Sequence, residues 1–514
     1  MAKVLFINPV VRQEDVPRHV PYGIALLAAI AMEKGHQVQV YDENAWRLGP
    51  ETRKQVLEAD EWDVIALGGI TTAYRSIKDA VAMAREVCPD GVIVLGGGVL
   101  TSIPHEIMGW LDAVDVGCVG EGFVTFPEIL EMVDAGKRDW HLVKGTIFRR
   151  EDGKTVLSGV RELLQDLDSL PYPAWDLFPL EEVYFENSAA LFSEEGMLAS
   201  RRLDINTSYG CSLVCKFCYH LGIAGDMRYE ESEDGTVDVA FDQTGSYTRD
   251  IRYHSPEYVV KMVKHAYDKY GINFIGFLDE NLMTMDVFSG RTWMKDICRL
   301  WHEYGLAPKK REDGTWDGVH WGGTSHATLC NQEVLKIMRE AGCSHLVYGY
   351  ESFAPHVLKT IGKGSTVKTN LRSFFWTLEA GIRPIPNQII GFPNEDFDSL
   401  RMSMDAWHKL GIVVKPHFAT PYPGSEWFTV YRKRIEEQYN GDLEKFIIDV
   451  GDASQISAVI SHNFSAVELI GLREFMVNFQ YDKIDAYEEE WRRRHNIPDG
   501  APSTLIPLAK SAAE

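Results

Sequence analysis

Val92-Ile93-Val94-Leu95-Gly96-Gly97-Gly98 sets four apolar, mostly β-branched residues directly before three glycines. A short apolar run closed by glycine reads as a strand buried on both faces, the pattern of a parallel sheet covered by helices on each side. Working outward, Val64-Ile65-Ala66-Leu67 ends in Gly68-Gly69, and Val114–Val119 ends in Gly120-Glu121-Gly122. Toward the start, Val4-Leu5-Phe6-Ile7 precedes a Pro/Gly loop and the helical stretch Ile24–Glu33, and His36-Gln37-Val38-Gln39-Val40 alternates as a half-buried strand. Helical segments separate these runs. Residues 1–150 therefore read as a doubly wound α/β domain, with ligands expected at the carboxyl ends of the strands, where the glycines lie.

The chain has 514 residues, too many for one core, so two or three domains are expected. Residues 151–200 are weaker in pattern, and Leu167-Asp168-Ser169-Leu170-Pro171-Tyr172-Pro173 reads as a stiffened linker. From 201 to 427 the runs Asp204–Ser208, Asn273–Leu278, Trp321–Ala327, His345–Tyr350, Pro386–Gly391 and Ile412–Phe418 alternate with helices. Six such units fit a partial parallel (β/α)6 barrel with its chemistry at the strand C-termini. Residues 428–514 read as helical, and Glu488-Glu489-Glu490-Trp491-Arg492-Arg493-Arg494 as a solvated helix face. Lys and Arg number 52 against 75 Asp and Glu, a formal charge of −23 that repels phosphate backbones, so no nucleic-acid partner is expected. The longest apolar run, Gly23–Met32, is too short to span a bilayer, and no basic start precedes an apolar stretch. No transmembrane segment and a cytoplasmic location are expected.

Eight cysteines in so long a chain are not a disulfide scaffold, and three crowd into Cys211-Ser212-Leu213-Val214-Cys215-Lys216-Phe217-Cys218. Soft thiolates on one short loop select zinc, copper or an iron–sulfur cluster. Structural zinc wants a fourth ligand, for which His220 stands nearby. A four-iron cluster on three cysteines keeps one iron open to a further ligand. Cys88, Cys118, Cys298, Cys330 and Cys343 read as packed thiols.

Cys-x3-Cys-x2-Cys, with Phe217 before the third Cys and a strand just upstream, resembles the radical S-adenosylmethionine (SAM) family. Phe277-Leu278-Asp279-Glu280-Asn281, Ala341-Gly342-Cys343 with Tyr348-Gly349-Tyr350-Glu351-Ser352, Ile361-Gly362-Lys363-Gly364, Ala380-Gly381-Ile382, Ile390-Gly391-Phe392-Pro393-Asn394-Glu395 and Pro421-Tyr422-Pro423-Gly424-Ser425 follow in family order. The resemblance implies that Cys211, Cys215 and Cys218 hold a [4Fe-4S] cluster whose open iron chelates SAM. It further implies adenine contacts from the backbone near Phe217 and Tyr219, and ribose or amino contacts from Glu280, Glu351 and Ser352. Gly391 would let the backbone approach the adenosyl group. His326 stands where many relatives carry Arg.

The first domain has its own resemblance. Asn8-Pro9, Pro21-Tyr22-Gly23-Ile24-Ala25-Leu26-Leu27-Ala28, Asp63–Thr72, Leu95–Gly98 and Gly120-Glu121-Gly122-Phe123 resemble the cobalamin-binding domains fused to radical SAM barrels. Cobalamin contacts are implied for Asn8, Pro9, Tyr22, Gly23, Gly69, Thr71, Thr72, Tyr74, Gly97, Gly98, Glu121, Gly122 and Phe123, with Thr71 and Thr72 bonding the nucleotide tail. The first loop lacks Asp-x-His-x-x-Gly, and Asp139–Gly145 places its glycine one residue late, after the fifth strand. No protein histidine is therefore expected on the lower cobalt face, where Tyr74 would approach instead. The first loop also lacks Gly-x-Gly-x-x-Gly, against a dinucleotide site. Only Cys88 and Cys118 lie upstream of the cluster motif, too few for a methylthiotransferase.

Together these resemblances imply a cobalamin-dependent methyltransferase acting on an unactivated carbon through a 5′-deoxyadenosyl radical and methylcobalamin, supplied with electrons by a flavodoxin or ferredoxin. An oxidative cyclase resembling the anaerobic Mg-protoporphyrin ester cyclase, and a cofactor-carrying protein without turnover, are the alternatives. The substrate would be a small molecule or peptide, with His417 and Tyr422 as candidate contacts. From Asp226 to Ser246 seven carboxylates face one Arg, read as either a lid or a solvated loop, and Pro308-Lys309-Lys310-Arg311 as an exposed turn or hairpin.

Overall fold

The computed structural model describes residues 1–159, 161–189, 192–213, 215–219, 228–231, 237–240 and 251–498. The first sheet has seven strands: β1 (Lys3–Asn8), β2 (Gln37–Asp42), β3 (Val64–Gly68), β4 (Val92–Gly96), β5 (Val116–Cys118), β6 (Thr146–Arg149) and β7 (Thr155–Leu157), in the order β2-β1-β3-β4-β5-β6-β7. β1 to β5 are parallel, as the glycine-closed runs require, with Val64 opposite Val92 and Gly68 opposite Gly96. Crossover helices bury both faces, and Val4, Phe6, Val64, Val92 and Val116 share one core with Phe126 and Ile129 of the helix Gly122–Asp134. β6 and β7 add an antiparallel hairpin, which carries the sheet past the boundary expected at 150. Its signal is Asp152-Gly153, a hairpin turn pair with Gly153 at φ 83°.

The second group of strands comprises β8 (Arg202–Ile205), β9 (Ser208–Tyr209), β10 (Arg228–Glu231), β11 (Val237–Ala240), β12 (Arg252–Tyr253), β13 (Phe274–Phe277), β14 (Lys309–Lys310), β15 (Trp316–Asp317), β16 (His320–Ser325), β17 (Cys343–Glu351), β18 (Arg383–Ile390) and β19 (His417–Phe418). Six of them form the parallel half-barrel, in the order β8, β13, β16, β17, β18, β19. All six expected strand runs are present, although Ile412–Phe418 contributes only two strand residues. β14 and β15 form the hairpin expected at 308–311, and β10 pairs antiparallel with β11. The rest of the acidic stretch Asp226–Ser246 lies outside the described residues, as does His220. C-terminal helices follow at Glu426–Gln438, Leu443–Asp449, Ala466–Val477 and Tyr481–Arg494. The last is not only a solvated face: Trp491 is buried against Phe397 and Phe464. Among the described residues no helix is long and apolar enough to cross a membrane.

The chain forms two compact units. The first holds Met1–Ser212, Tyr219–Thr324 and Lys336–His345; the second holds Leu213–Cys218, Ser325–Leu335 and the chain from Leu346 onward.

Candidate active site

In the first unit, the chain leaving β8 is held from two sides before it reaches Cys211. β9 pairs with the short β12, and the His254 amide donates to the Thr207 carbonyl at 2.8 Å. On the other side Asp279, just past β13, accepts from Thr207 N (3.1 Å), Thr207 Oγ1 (2.9 Å) and Ser208 Oγ (2.5 Å). All three bonds reach one oxygen; Asp279 Oδ2 is buried without a partner among the described residues. Burial pushes the Asp279 carboxyl up to about 6 against the opposing pull of those donors. Asn281 Nδ2 and Thr284 Oγ1, in the turn that follows, are also buried without partners. The sequence reading had singled out Glu280, which is half-buried; the fully buried acid is its neighbour.

The loops at the carboxyl ends of β1, β3, β4 and β5 contain the residues expected to meet cobalamin, and several of them have protein partners. Glu121 makes a bidentate ion pair with Arg252 (2.7 and 2.9 Å) and accepts from Leu164 N at 3.2 Å. Phe123 packs edge-on against Tyr209, with ring centroids 5.2 Å apart. Tyr22 donates to the Asn206 carbonyl, and Asn8 Nδ2 donates to Asp42, which also accepts from Tyr184. Tyr74, in the Thr71–Arg75 loop expected beneath the cobalt, is fully buried with its ring edge-on to Trp110. Gly97 serves its own sheet: at φ 82°, a Cβ there would lie 2.7 Å from the backbone N and O of Gly69, so the two glycine loops pack backbone against backbone. Pro9 lies just beyond them, and nothing crowds Gly23, whereas Gly122 faces Leu27. Thr71 is buried, and Thr72 Oγ1 is buried with no partner, an atom that a ligand's polar group would satisfy. Tyr219, directly after Cys218, bonds Ser102 and lies against Gly98; burial pushes its phenol pKa up.

The second unit contributes Cys215, Phe217 and Cys218 together with the ends of β17 and β18. Glu351 and Lys363 form a buried ion pair at 2.8 Å, with side chains 7% and 9% exposed. Burial disfavours the Lys363 charge, but Glu351 and the thiols of Cys215 and Cys218 outweigh it and hold its pKa above the usual lysine value. Its ammonium also lies 5.7 Å from the Phe217 ring centre, and Phe217 completes an aromatic cluster with Phe392 and Trp427. His326 is buried, with Nε2 unpartnered; burial and then Lys363 drive it down to about 3, so the ring is neutral. Ser352 Oγ accepts from Ala354 N at 3.1 Å and is committed to that turn. Gly391, at φ 95°, leaves space that Leu469 fills. Tyr422 donates to the Gly451 carbonyl at 2.7 Å, and His417 lies on the exposed face of β19.

Among the described residues no three His, Cys, Asp or Glu side chains are gathered closely enough to hold an ion. Three soft thiols with an ammonium close to two of them suit an iron–sulfur cluster, and the orphaned Thr72 hydroxyl suits a ligand at the glycine loops.

The family model of the radical SAM superfamily matches residues 205–406, and that of the B12 binding domain matches residues 10–130. The chain therefore carries a B12 binding domain followed by a radical SAM domain. The cofactors that go with these two domains are a [4Fe-4S] cluster, SAM and cobalamin. An uncharacterized methyltransferase of Pyrococcus horikoshii is 25% identical over 79% of this chain and 77% of its own length. The anaerobic magnesium-protoporphyrin IX monomethyl ester cyclase of Rubrivivax gelatinosus is 23% identical over 96% of this chain and 80% of its own. Among solved structures, the radical SAM methyltransferase TsrM from Kitasatospora setae, with cobalamin and a [4Fe-4S] cluster bound, has a TM-score of 0.63 at 16% identity, covering 85% of this chain and 76% of that one. The radical SAM enzyme thus has the half-barrel and the parallel sheet in the expected order.

Proposed function

We propose that this radical SAM enzyme is a C-methyltransferase that acts on an unactivated carbon of a small molecule or peptide. When bound, the cofactors supply the radical that removes a hydrogen atom and the methyl group that replaces it. The chain's own part is to hold them and to keep water out. Cys211, Cys215 and Cys218 would hold the cluster, Glu351 and Phe217 would lie beside SAM, and Thr72 would bond the tail of cobalamin. The observation that carries this reading is the pairing of the cysteine loop with a glycine-lined sheet in one chain. The similarity to a methyltransferase along most of both chains favours transfer. Similarity to the ester cyclase keeps ring closure as the second reading. Electrons would come from a flavodoxin or ferredoxin.

Anaerobic reconstitution with iron, sulfide and hydroxocobalamin, then incubation with methyl-labelled SAM and cell extract, tests the proposal. Release of 5′-deoxyadenosine together with S-adenosylhomocysteine, and label in a new product, is the expected result. 5′-Deoxyadenosine without S-adenosylhomocysteine would sink methyl transfer and favour the cyclase reading.

A further inference from the structure

We propose that Asp279 is a positioning residue for the cysteine loop: one oxygen of its buried carboxyl fixes the segment that delivers Cys211. The inference rests on the reading that the three cysteines hold the cluster, and it concerns a residue outside the cysteine motif, to which no role has been assigned.

Three donors converge on Oδ1, from the Thr207 amide, the Thr207 hydroxyl and the Ser208 hydroxyl, while Oδ2 has no partner among the described residues. A carboxyl kept for packing alone would be poorly placed, because an unsatisfied buried oxygen is costly and an apolar side chain of the same shape would avoid the loss. The asymmetry makes sense if the site needs one strong acceptor at one point. That point lies on the segment that ends in the cluster ligand. Ser208 is three residues before Cys211, and Gly210, at φ 104°, turns the chain between them. β12 pairs with the same two-residue strand, and His254 N holds the Thr207 carbonyl, so the backbone of 207–209 is held on one side while Asp279 holds Thr207 and Ser208 on the other. Two adjacent donor side chains, Thr207 and Ser208, both end on Asp279. With the backbone so fixed, the direction in which Cys211 leaves Gly210 is set before any iron arrives.

The test uses the full chain with Asp279→Ala, Asp279→Asn, Ser208→Ala and Thr207→Val, each reconstituted anaerobically with ferrous iron and sulfide. Iron and acid-labile sulfide per chain and the electron paramagnetic resonance spectrum of the reduced cluster are the readouts. Thermal unfolding and hydroxocobalamin binding monitor the fold. Asp279→Asn keeps an oxygen acceptor and is expected to retain the wild-type spectrum and iron content. Asp279→Ala is expected to take up iron about tenfold more weakly, with altered g-values, while still binding hydroxocobalamin. Ser208→Ala should fall between them. A wild-type spectrum and iron content in Asp279→Ala would overturn the proposal. So would an Asp279→Asn chain as impaired as Asp279→Ala, since charge rather than the placed acceptor would then be what matters. If Asp279→Ala does not fold, Ser208→Ala and Thr207→Val decide, and unchanged spectra in both would overturn it. A wild-type chain that takes up no cluster would overturn the cofactor reading and this inference together, and is told apart by the control.

Discussion

Glu351 shows why the Gly-x-Glu pattern has its spacing. The residue sits at φ 60°, a left-handed conformation that non-glycine residues seldom adopt, at the end of β17. The bend turns its carboxylate back toward Gly349, where a Cβ would lie 2.1 Å from Glu351 Oε1 and 2.9 Å from Lys363 Nζ. Glycine at 349 is thus the space the ion pair occupies. Removing one partner of a buried pair leaves the other charge stranded, at a cost of about 3–5 kcal/mol. Lys363→Met and Gly349→Ala should each lower the midpoint of denaturant unfolding, whereas Lys363→Met combined with Glu351→Gln should recover part of the loss. A single variant as stable as wild type would show that the pair does not hold the strand end. Thr72→Val should weaken hydroxocobalamin binding about tenfold, the worth of one hydrogen bond, in an equilibrium titration. The glutamate was legible in the sequence because it belongs to an ordered motif. Lys363 stands in the next motif of the same order, but its pairing with Glu351 was not legible, because a partner twelve residues away across a loop leaves no periodic trace.

At the level of the element, the loop after β18 is closed by a carboxyl that reads as an acid and behaves as a neutral group. Glu395 is buried and accepts from Gly391 N at 2.5 Å. Burial pushes it up to about 8 from 4.5, opposed by the Gly391 amide and assisted by Asp396. The folded chain therefore keeps a proton that the unfolded chain releases above its ordinary carboxylate pKa. The stability this contributes is complete below about 4.5 and is lost as pH rises through about 8. Glu395→Gln carries no such proton, so the stability difference between variant and wild type should move in favour of the variant from pH 6 to pH 9. Denaturant midpoints at both values check this, and a difference independent of pH would mean that Glu395 is ionised in the fold. The elements themselves were largely legible, since apolar runs closed by glycine can form only buried parallel strands. The hairpin β6–β7 was missed although Asp152-Gly153 marks its turn, because its strands are short and carry mixed polarity. β19 keeps only His417–Phe418, the last two residues of its expected run.

On the scale of the molecule, the sequence reads as a sheet domain, a linker, a barrel and a helical C-terminal region, and the first compact unit takes in the parallel sheet, the linker and the first barrel strands together. The reason lies in side chains that a linear reading assigned elsewhere. Arg252, 2% exposed, holds Glu121 of the sheet and the Leu164 carbonyl of the linker at once. His19 binds the buried Asp204, whose carboxyl burial would raise but which Arg202 and His19 hold below its usual range. Asp168 accepts from the Ser255 amide, and Tyr258 donates to the Leu170 carbonyl. No periodicity encodes a pair 131 residues apart, so the ion pair of Glu121 with Arg252 was not legible in the sequence. The clasp has a measurable signature. Glu121→Ala and Arg252→Ala each strand a buried charge and should each cost about 3–5 kcal/mol. The double variant strands neither and should cost less than the sum by about 1–3 kcal/mol. Urea unfolding of the four chains gives the coupling directly. Should the effects add to within about 0.5 kcal/mol, residues 121 and 252 act separately and the sheet is held to the barrel by other contacts. If the coupling is present, hydroxocobalamin should bind the Arg252→Ala chain more weakly too, because the loop that carries Glu121 also carries Gly120 and Gly122 at the rim of the glycine-lined site.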